Sequence, residues 1–252
     1  MFDGLPSPFV LRSRGFNPAT LFASGAELGF VLDLASDALS TRTPGTGVQT
    51  ITTAVKGRVF SQGTTTARPT YQLDGSLPYL QFDGVDDWMT TSGGLSLTGS
   101  GRTIITAVRK TSDANIGSVI ESRPAWTASG LFAHFAPSAA ATANYGARWN
   151  TSSVQSILNS ASSFAAPHTA VLTSTFATGS HIERVNGVQV GSGAPAGTLV
   201  NHTADVTIGA RDGSSLFFTG RVYAMIVIDR VLTAGELAAA EAWAASKCGV
   251  TL

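Results

Sequence analysis

Asp83, Asp86 and Asp87 fall within five positions of one another. Hard carboxylate oxygens at that spacing can hold Ca2+ when backbone carbonyls and a further carboxylate converge on them. The competing reading commits Asp83 and Asp86 to the amides of a turn. Other titratable groups stand apart. The five glutamates, Glu27, Glu121, Glu183, Glu236 and Glu241, are isolated; Glu236 reads as a helix cap, Glu241 as part of a helix face and Glu183 as part of a hairpin. Cleaving a glycosidic bond takes two carboxyl groups about 5 to 9.5 Å apart in one cleft, which here would need distant residues such as Asp113 and Glu121 to converge. His134, His168, His181 and His202 show no His-x-His or His-x-x-x-His spacing that would put two ligands on one metal. There is no Gly-x-Ser-x-Gly elbow, and Cys248, beside a helix C-terminus, lacks the positive N-terminal field that activates a thiol. No catalytic residue is assigned, and the chain reads as a non-enzyme.

Recognition of a sugar takes aromatic faces against the apolar side of a pyranose, with planar amides or arginine for the hydroxyls. The candidates are Trp126, His134, Tyr145, Arg148 and Trp149. Trp126 follows Pro124 in a loop-like stretch, and Tyr145 and Trp149, four residues apart, share one face if they lie on a strand. Each can equally be core, and for Trp149 the two readings balance. Trp88 and Trp243 read as core.

The elements that would position these residues are mostly strands. Residues 77–88, LPYLQFDGVDDW, describe a strand that runs into an aspartate-rich turn and out into a second strand, with Asp83-Gly84 supplying the positive φ of a tight turn. Residues 103–109, 117–120, 131–135 and 145–149 read as further strands separated by turn residues, the spacing of a sandwich or barrel. Val185-Asn186-Gly187-Val188 has the chemistry of a two-residue type I′ hairpin. Residues 222–228 are apolar on both faces, as in a strand covered on both sides. Residues 29–34 form an apolar run, and the Ser/Thr/Gly/Pro-rich stretch that follows, to Pro69, reads as loops and weak strands. Thr233 and Glu236 form a capping box ahead of a terminal helix over about 233–248. Leu237, Ala240 and Ala244 share one face of it with Trp243 alongside, Lys247 suits its C-terminal dipole and Gly249 stops it.

Residues 1–24 carry Pro6, Pro8 and Pro18 among apolar side chains without strand or helix period, and read as an arm preceding a principal domain over 25–252. Asn17-Pro18 fits the N-cap and first position of a short helical turn. Exposed apolar surface costs about 25 cal/mol per Å2, so Phe2, Phe9 and Phe16 are expected to be buried, either on a partner subunit or on the chain's own sandwich.

Composition narrows the classes. The formal net charge is zero and charged residues are 13%, which leaves no basic footprint for nucleic acid and no polybasic membrane anchor. A single cysteine excludes an internal disulfide framework. The longest apolar stretch, residues 222–228, is far short of the roughly 20 residues needed to cross a bilayer, and no signal peptide is evident. The chain therefore reads as soluble and made in the cytoplasm. Thirteen arginines against three lysines suggest a GC-rich bacterial or phage source.

The octet FDGVDDWM, the VNG hairpin and the segments VTIGAR and FFTGRVYAMIVIDRVLT, in that order over roughly residues 70–240, resemble laminin-G-like, concanavalin-A-like lectin/glucanase domains. The resemblance implies an all-β jelly-roll sandwich. The Glu-x-Asp-x-Glu pattern of the glucanase branch is absent. In related sandwiches the signature turn lies near the last strand, which would make Asp229 the extra calcium ligand beside Asp83. The opening FNPATLFASGAELG, the segment ARPTYQLDG and the ending RVLTAGELAAAEAWAASKCGVTL are similar to concanavalin-A-like virion proteins of phages and prophages. That similarity implies a head or tail spike, fibre or decoration component of a virion. It would bind host cell-surface glycan or dock on other virion proteins through its arm, as a homo-oligomer, a trimer in the case of a fibre or spike.

Overall fold

The computed structural model describes residues 15–122 and 127–252. Among these, alternation and turn chemistry produce seventeen strands and one α-helix. In chain order they are β1 (Gly29–Asp33), β2 (Ala38–Leu39), β3 (Thr50–Thr52), β4 (Val59–Ser61), β5 (Thr70–Asp74), β6 (Leu77–Asp83), β7 (Met89–Thr91), β8 (Gly101–Lys110) and β9 (Ser118–Ser122). There follow β10 (Phe132–Phe135), β11 (Gly146–Asn150), β12 (Gln155–Asn159), β13 (His168–Ala177), β14 (Ser180–Val185), β15 (Val188–Gly193), β16 (Val206–Ile208), β17 (Thr219–Ile228) and the helix α1 (Ala234–Cys248). The weak-strand stretch after β1 resolves into the short strands β2 to β4.

Two antiparallel sheets form a β-sandwich. Sheet I runs β15-β14-β13-β8-β17-β6-β5, with β1 pairing the far half of β17, and sheet II runs β12-β11-β10-β9-β16-β7-β4-β3-β2. Between them lies a core that includes Phe30, Phe60, Phe82, Phe132, Trp149 and Phe176. A second core on the other side of sheet I joins Val31, Ile105, Tyr223 and Ile226 to Ala240 and Ala244 of α1. The strand β17 separates the two, sending Val222, Met225 and Val227 inward and Tyr223, Ile226 and Ile228 toward the helix. This is the coverage its two apolar faces predict.

Local signals act as their chemistry requires. Asn186 and Gly187 take φ of 49° and 76°, the left-handed pair of a type I′ turn, and they join β14 to β15. Thr233 Oγ1 accepts from the Glu236 amide and the Glu236 carboxylate accepts from the Thr233 amide. Asn17 Oδ1 accepts from the Ala19 amide at the start of a 3-10 turn over Pro18–Phe22. Two side chains of the helix also tie it to the rest of the chain. Lys247 reaches out of the helix to Asp33 at 2.8 Å, and Glu241 is buried, with its oxygen 2.8 Å from Arg184 Nε of the hairpin. No helix among the described residues is long and apolar enough to cross a membrane.

Candidate functional site

The face of sheet II turned away from the interior carries a cleft. Alternation along β7 sends Met89 into the interior core and leaves Thr90 facing outward, with Trp88 two residues earlier on the same side. On the adjacent strand β16, Val206 and Ile208 enter the core while Thr207, the pairing partner of Thr90, faces out. Together Trp88, Thr90 and Thr207 line a cleft of about 570 Å3, closed by Gly93, Gly94, Asp205 and Asp212 among others.

Its walls are held by specific contacts. The Trp88 amide donates to the Ala67 carbonyl at 3.1 Å, and Gln62 Nε2 donates to the Trp88 carbonyl at 3.1 Å. The turn at Gly213 lies against the indole, where a Cβ would come within 2.5 Å of Trp88 Cε2 at a φ of +63°, so only glycine fits. Asp205 Oδ1 accepts from the Gly94 amide at 2.6 Å, tying two sides of the cleft together. Next to the floor, Thr207 pairs with Glu121 of β9. Glu121 is fully buried, and its carboxylate lies 3.5 Å from Arg211 Nε. Arg148, placed across β10 from Glu121, is buried too. Burial, with the charge of Arg211, lowers its guanidinium to about 10.

Four of the five residues expected to meet sugar are buried, three of them in the interior and Arg148 on the outer side of sheet II. His134 is 1% exposed; its Nδ1 and Nε2 bond Thr106 at 3.1 Å and Ser174 at 2.9 Å, linking sheet II to sheet I. Burial, reinforced by neighbouring His181, pushes its pKa down to about 3. Tyr145 is fully buried, with its hydroxyl 2.8 Å from His168 Nδ1 and the Lys110 ammonium 4.8 Å from its ring centroid. Burial raises its pKa well beyond the ordinary phenol value. Trp149 stacks on Phe176 with centroids 5.2 Å apart and donates to Ser174 Oγ at 3.3 Å. Tyr145 and Trp149 do share a face, but it is the inner one. Arg148 lies on the outer side, where its Nε donates to Asn150 Oδ1 at 3.0 Å under cover of surrounding chain. Trp126 lies outside the described residues, as do Phe2 and Phe9. Phe16 is half-buried and packs on the helix-side core of its own chain.

The acidic turn is also resolved. The carboxylate oxygens of Asp83, Asp86 and Asp87 come within 4.8 Å of one another. Asp83 Oδ1 accepts from the amides of Val85 and Asp86, and Asp87 Oδ2 accepts from the amide of Asp83. Burial, with the charges of Asp83 and Asp86, raises Asp87 to about 6. Asp229 does not join this turn: Asp83 pairs with Thr219 at the start of β17, and Asp229 follows the far end, about 30 Å away along a ten-residue strand. There it accepts from the amides of Leu28 and Gly99.

Trp88 is the residue that sequence reasoning misplaced, because it is half-buried on the cleft rather than core. The available signal was the alternation Trp88-Met89-Thr90. With Met89 inward, its neighbours face out.

No family model matches the chain, and no curated protein matches it. Solved structures do. A botulinum neurotoxin type C structure, from work on a toxin that depends on two ganglioside molecules to enter cells, is 14% identical with a TM-score of 0.55. It covers 83% of this chain and 51% of its own. The binding domain of botulinum neurotoxin DC, in complex with rat synaptotagmin II, is 12% identical with a TM-score of 0.55, over 83% of this chain and 52% of its own. The Ruminococcus gnavus IT-sialidase CBM40 bound to alpha2,3 sialyllactose is 16% identical with a TM-score of 0.47, over 64% of this chain and 97% of its own. The chain thus spans about half the length of the neurotoxin chains it matches. At such identity, the neurotoxin likenesses establish the β-sandwich fold alone.

Proposed function

We propose that the protein is a non-enzymatic carbohydrate-binding module that takes a neutral glycan in the cleft over sheet II. The observation that carries this reading is the lining: an indole face at Trp88, hydroxyls at Thr90 and Thr207, and carboxylates at Asp205 and Asp212. The indole suits the apolar side of a pyranose, and hydroxyls and carboxylates suit sugar hydroxyls. Among the described lining residues there is no cation, which disfavours a sugar acid. One structure of the same fold comes from a toxin that uses gangliosides, so the scaffold is compatible with glycan recognition.

The similarity of both ends of the chain to phage and prophage proteins supports placement in a virion, with host-surface glycan as ligand and oligomeric display supplying avidity. A single open cleft binds one sugar segment weakly, and presenting several copies multiplies the effect.

The test is a titration of neutral oligosaccharides into the wild-type chain and the Trp88→Ala variant, after an array has chosen the ligand. Removing an aromatic anchor is expected to cost about 2 kcal/mol, roughly thirtyfold in Kd. An array without binders, or unchanged affinity in the variant, would overturn the proposal.

Asp205 and Asp212 on one cleft also present the residue types that hydrolysis uses. Recovery of the bound oligosaccharide intact is the expected result, and release of new reducing ends would replace binding with cleavage.

A further inference from the structure

At one end of the sandwich three apolar side chains serve neither core. Ile116, Leu216 and Phe217 are half-buried, yet none of them packs against the interior core or the helix-side core. They converge instead, with Gly84, Asn115 and Ala140, on a depression of about 280 Å3. Val85, beside Gly84 in the same turn, is 69% exposed. Apolar residues scattered singly over a surface need no explanation, whereas a concave group of them outside the core is the usual lining of a ligand pocket.

One wall is built at a cost in backbone conformation. Leu216 has a φ of 50°, in the left-handed region that a bulky side chain rarely adopts and where it lowers stability. The surrounding loop holds it there: the Leu216 carbonyl accepts from the Ser118 amide at 2.8 Å, and the Arg211 amide donates to the Ser215 carbonyl at 2.8 Å just before it. Asparagine takes the same conformation more readily. What leucine supplies at this position is therefore its side chain, on the wall of the depression.

The depression and the Trp88 cleft are walled by the same two turns. Residues 84–88 give Gly84 to the depression and Trp88 to the cleft, and residues 212–217 give Leu216 and Phe217 to the depression and Asp212 to the cleft. Four residues of chain span at most about 14 Å, so the two sites lie within the length of a short oligosaccharide. No described residue lining the depression is charged, and an ionic substituent would gain nothing there. An acetamido group fits: its methyl meets Ile116, Leu216 and Phe217, while the exposed Asn115 carboxamide can accept from its N–H and donate to its carbonyl. Resting on the reading of the cleft as a glycan site, we infer that the depression is a subsite for the acetamido group of an N-acetylated hexosamine, adjacent to the sugar on Trp88. Leu216 and Asn115 set that preference.

The test is calorimetric titration of the full chain with a matched pair of neutral ligands, the trimer of N-acetylglucosamine and the trimer of glucose with the same linkage. One buried methyl and one hydrogen bond together correspond to about tenfold in Kd, so the wild type is expected to bind the acetylated trimer about tenfold more tightly. Leu216→Asn and Asn115→Ala are each expected to cut this preference to roughly threefold or less. Leu216→Asn should leave the unfolding midpoint unchanged or raise it, because the strained backbone is relieved. Trp88→Ala is expected to weaken both trimers together and leave their ratio intact. Equal affinity of the wild type for the two trimers, with both weakened by Trp88→Ala, would overturn the subsite and leave the cleft reading standing. A preference untouched by Leu216→Asn and Asn115→Ala, or a lowered midpoint in Leu216→Asn with the preference intact, would make Leu216 structural and overturn the subsite as well. Loss of the preference in both subsite variants, with no effect of Trp88→Ala on either trimer, would keep the depression as the acetamido site and sink the cleft reading. Absence of binding by both trimers would overturn the inference outright.

Discussion

Sheet I is covered on both faces, by the interior core and by α1, whereas sheet II is covered on its inner face and carries a cleft on the other. The chain shows the difference in the strands themselves. In β17 both parities are apolar, and every residue from Val222 to Ile228 is buried. In β7 and β16 the inward residues are Met89, Val206 and Ile208, while the outward ones are the threonines that line the cleft. A doubly covered strand has no side chain to spare for a ligand. A strand that faces the core on one side keeps every second residue out of it, as β7 and β16 do with Thr90 and Thr207, and recognition chemistry on this sandwich can collect there.

The comparison breaks most severely if the core tryptophan and the cleft tryptophan turn out interchangeable. Trp149 is 1% exposed and lies against Phe132, Phe176 and His181. Trp149→Ala is expected to cost about 3 to 5 kcal/mol of folding stability. Trp88→Ala, at a half-buried position on the cleft, is expected to cost about 1 kcal/mol. Urea unfolding monitored by circular dichroism measures both. Equal losses would mean that Trp88 is as structural as Trp149 and that the cleft is no specialised surface.

This pair also shows how much of the molecule was legible in its residues. The strand order around FDGVDD, the hairpin at Asn186-Gly187 and the capping box at Thr233 follow from local backbone chemistry, and they hold because no tertiary contact has to decide them. What local chemistry cannot decide is which side of a strand faces in. Tyr145 and Trp149 share a face on either assignment, and the choice depends on Phe176 and Ser174, which arrive from β13 more than twenty residues later. Glu121 and Glu183 were isolated in the chain for the same reason. Their surroundings come from distant parts of the chain, Arg211 after β16 for Glu121 and the Leu158 side of β12 for the Glu183 region. The cleft brings together positions from 88 to 212, and of its aromatic and acidic members only Trp88 had a signal in its immediate neighbours.

Charge inside the sandwich sharpens the comparison through pH. Burial raises Glu183 to about 8 and lowers His134 and His181 to about 3 and His202 to about 4. The histidines stay neutral when folded. Their contribution to stability is intact above the unfolded value near 6.5 and is lost as pH falls toward 3 to 4. Glu183 has the opposite sign: its folded state holds a proton that the unfolded chain releases, so stability is full below about 4.5 and falls as pH rises through 8. Between pH 6.5 and 8 the histidine effect is flat, and Glu183 alone of these groups lowers stability, by about 2 kcal/mol. Glu183→Gln should flatten this alkaline slope, steepen the acid limb between about pH 4.5 and 6.5, where Glu183 offsets part of the histidine effect, and leave it unchanged below about 4.5. Denaturant midpoints measured across both limbs test the prediction, and an unchanged alkaline slope in the variant would place the titrating group elsewhere.

The smallest expected effect is the most discriminating, because it changes one hydroxyl on the cleft floor. Thr207 is 6% exposed, pairs with Thr90 and lies on the cleft floor. Thr207→Val keeps the β-branch, and with it the strand preference and most of the volume, so the fold should tolerate it with little change in unfolding midpoint. It removes a group that can both donate to and accept from a sugar hydroxyl. A neutral hydrogen bond of that kind contributes about 1 kcal/mol, roughly fivefold in Kd. Calorimetric titration of the wild type and the variant with the same oligosaccharide measures it. Weaker binding at unchanged stability would separate the two faces of sheet II by a single side chain: Ile208, the next residue on β16, belongs to the core, and Thr207 to the ligand. Unchanged binding would move the sugar off the floor and toward the Trp88 wall. A loss of stability with no loss of binding would show that the outward threonines maintain the sheet, and that the contrast between covered and open faces does not extend to function.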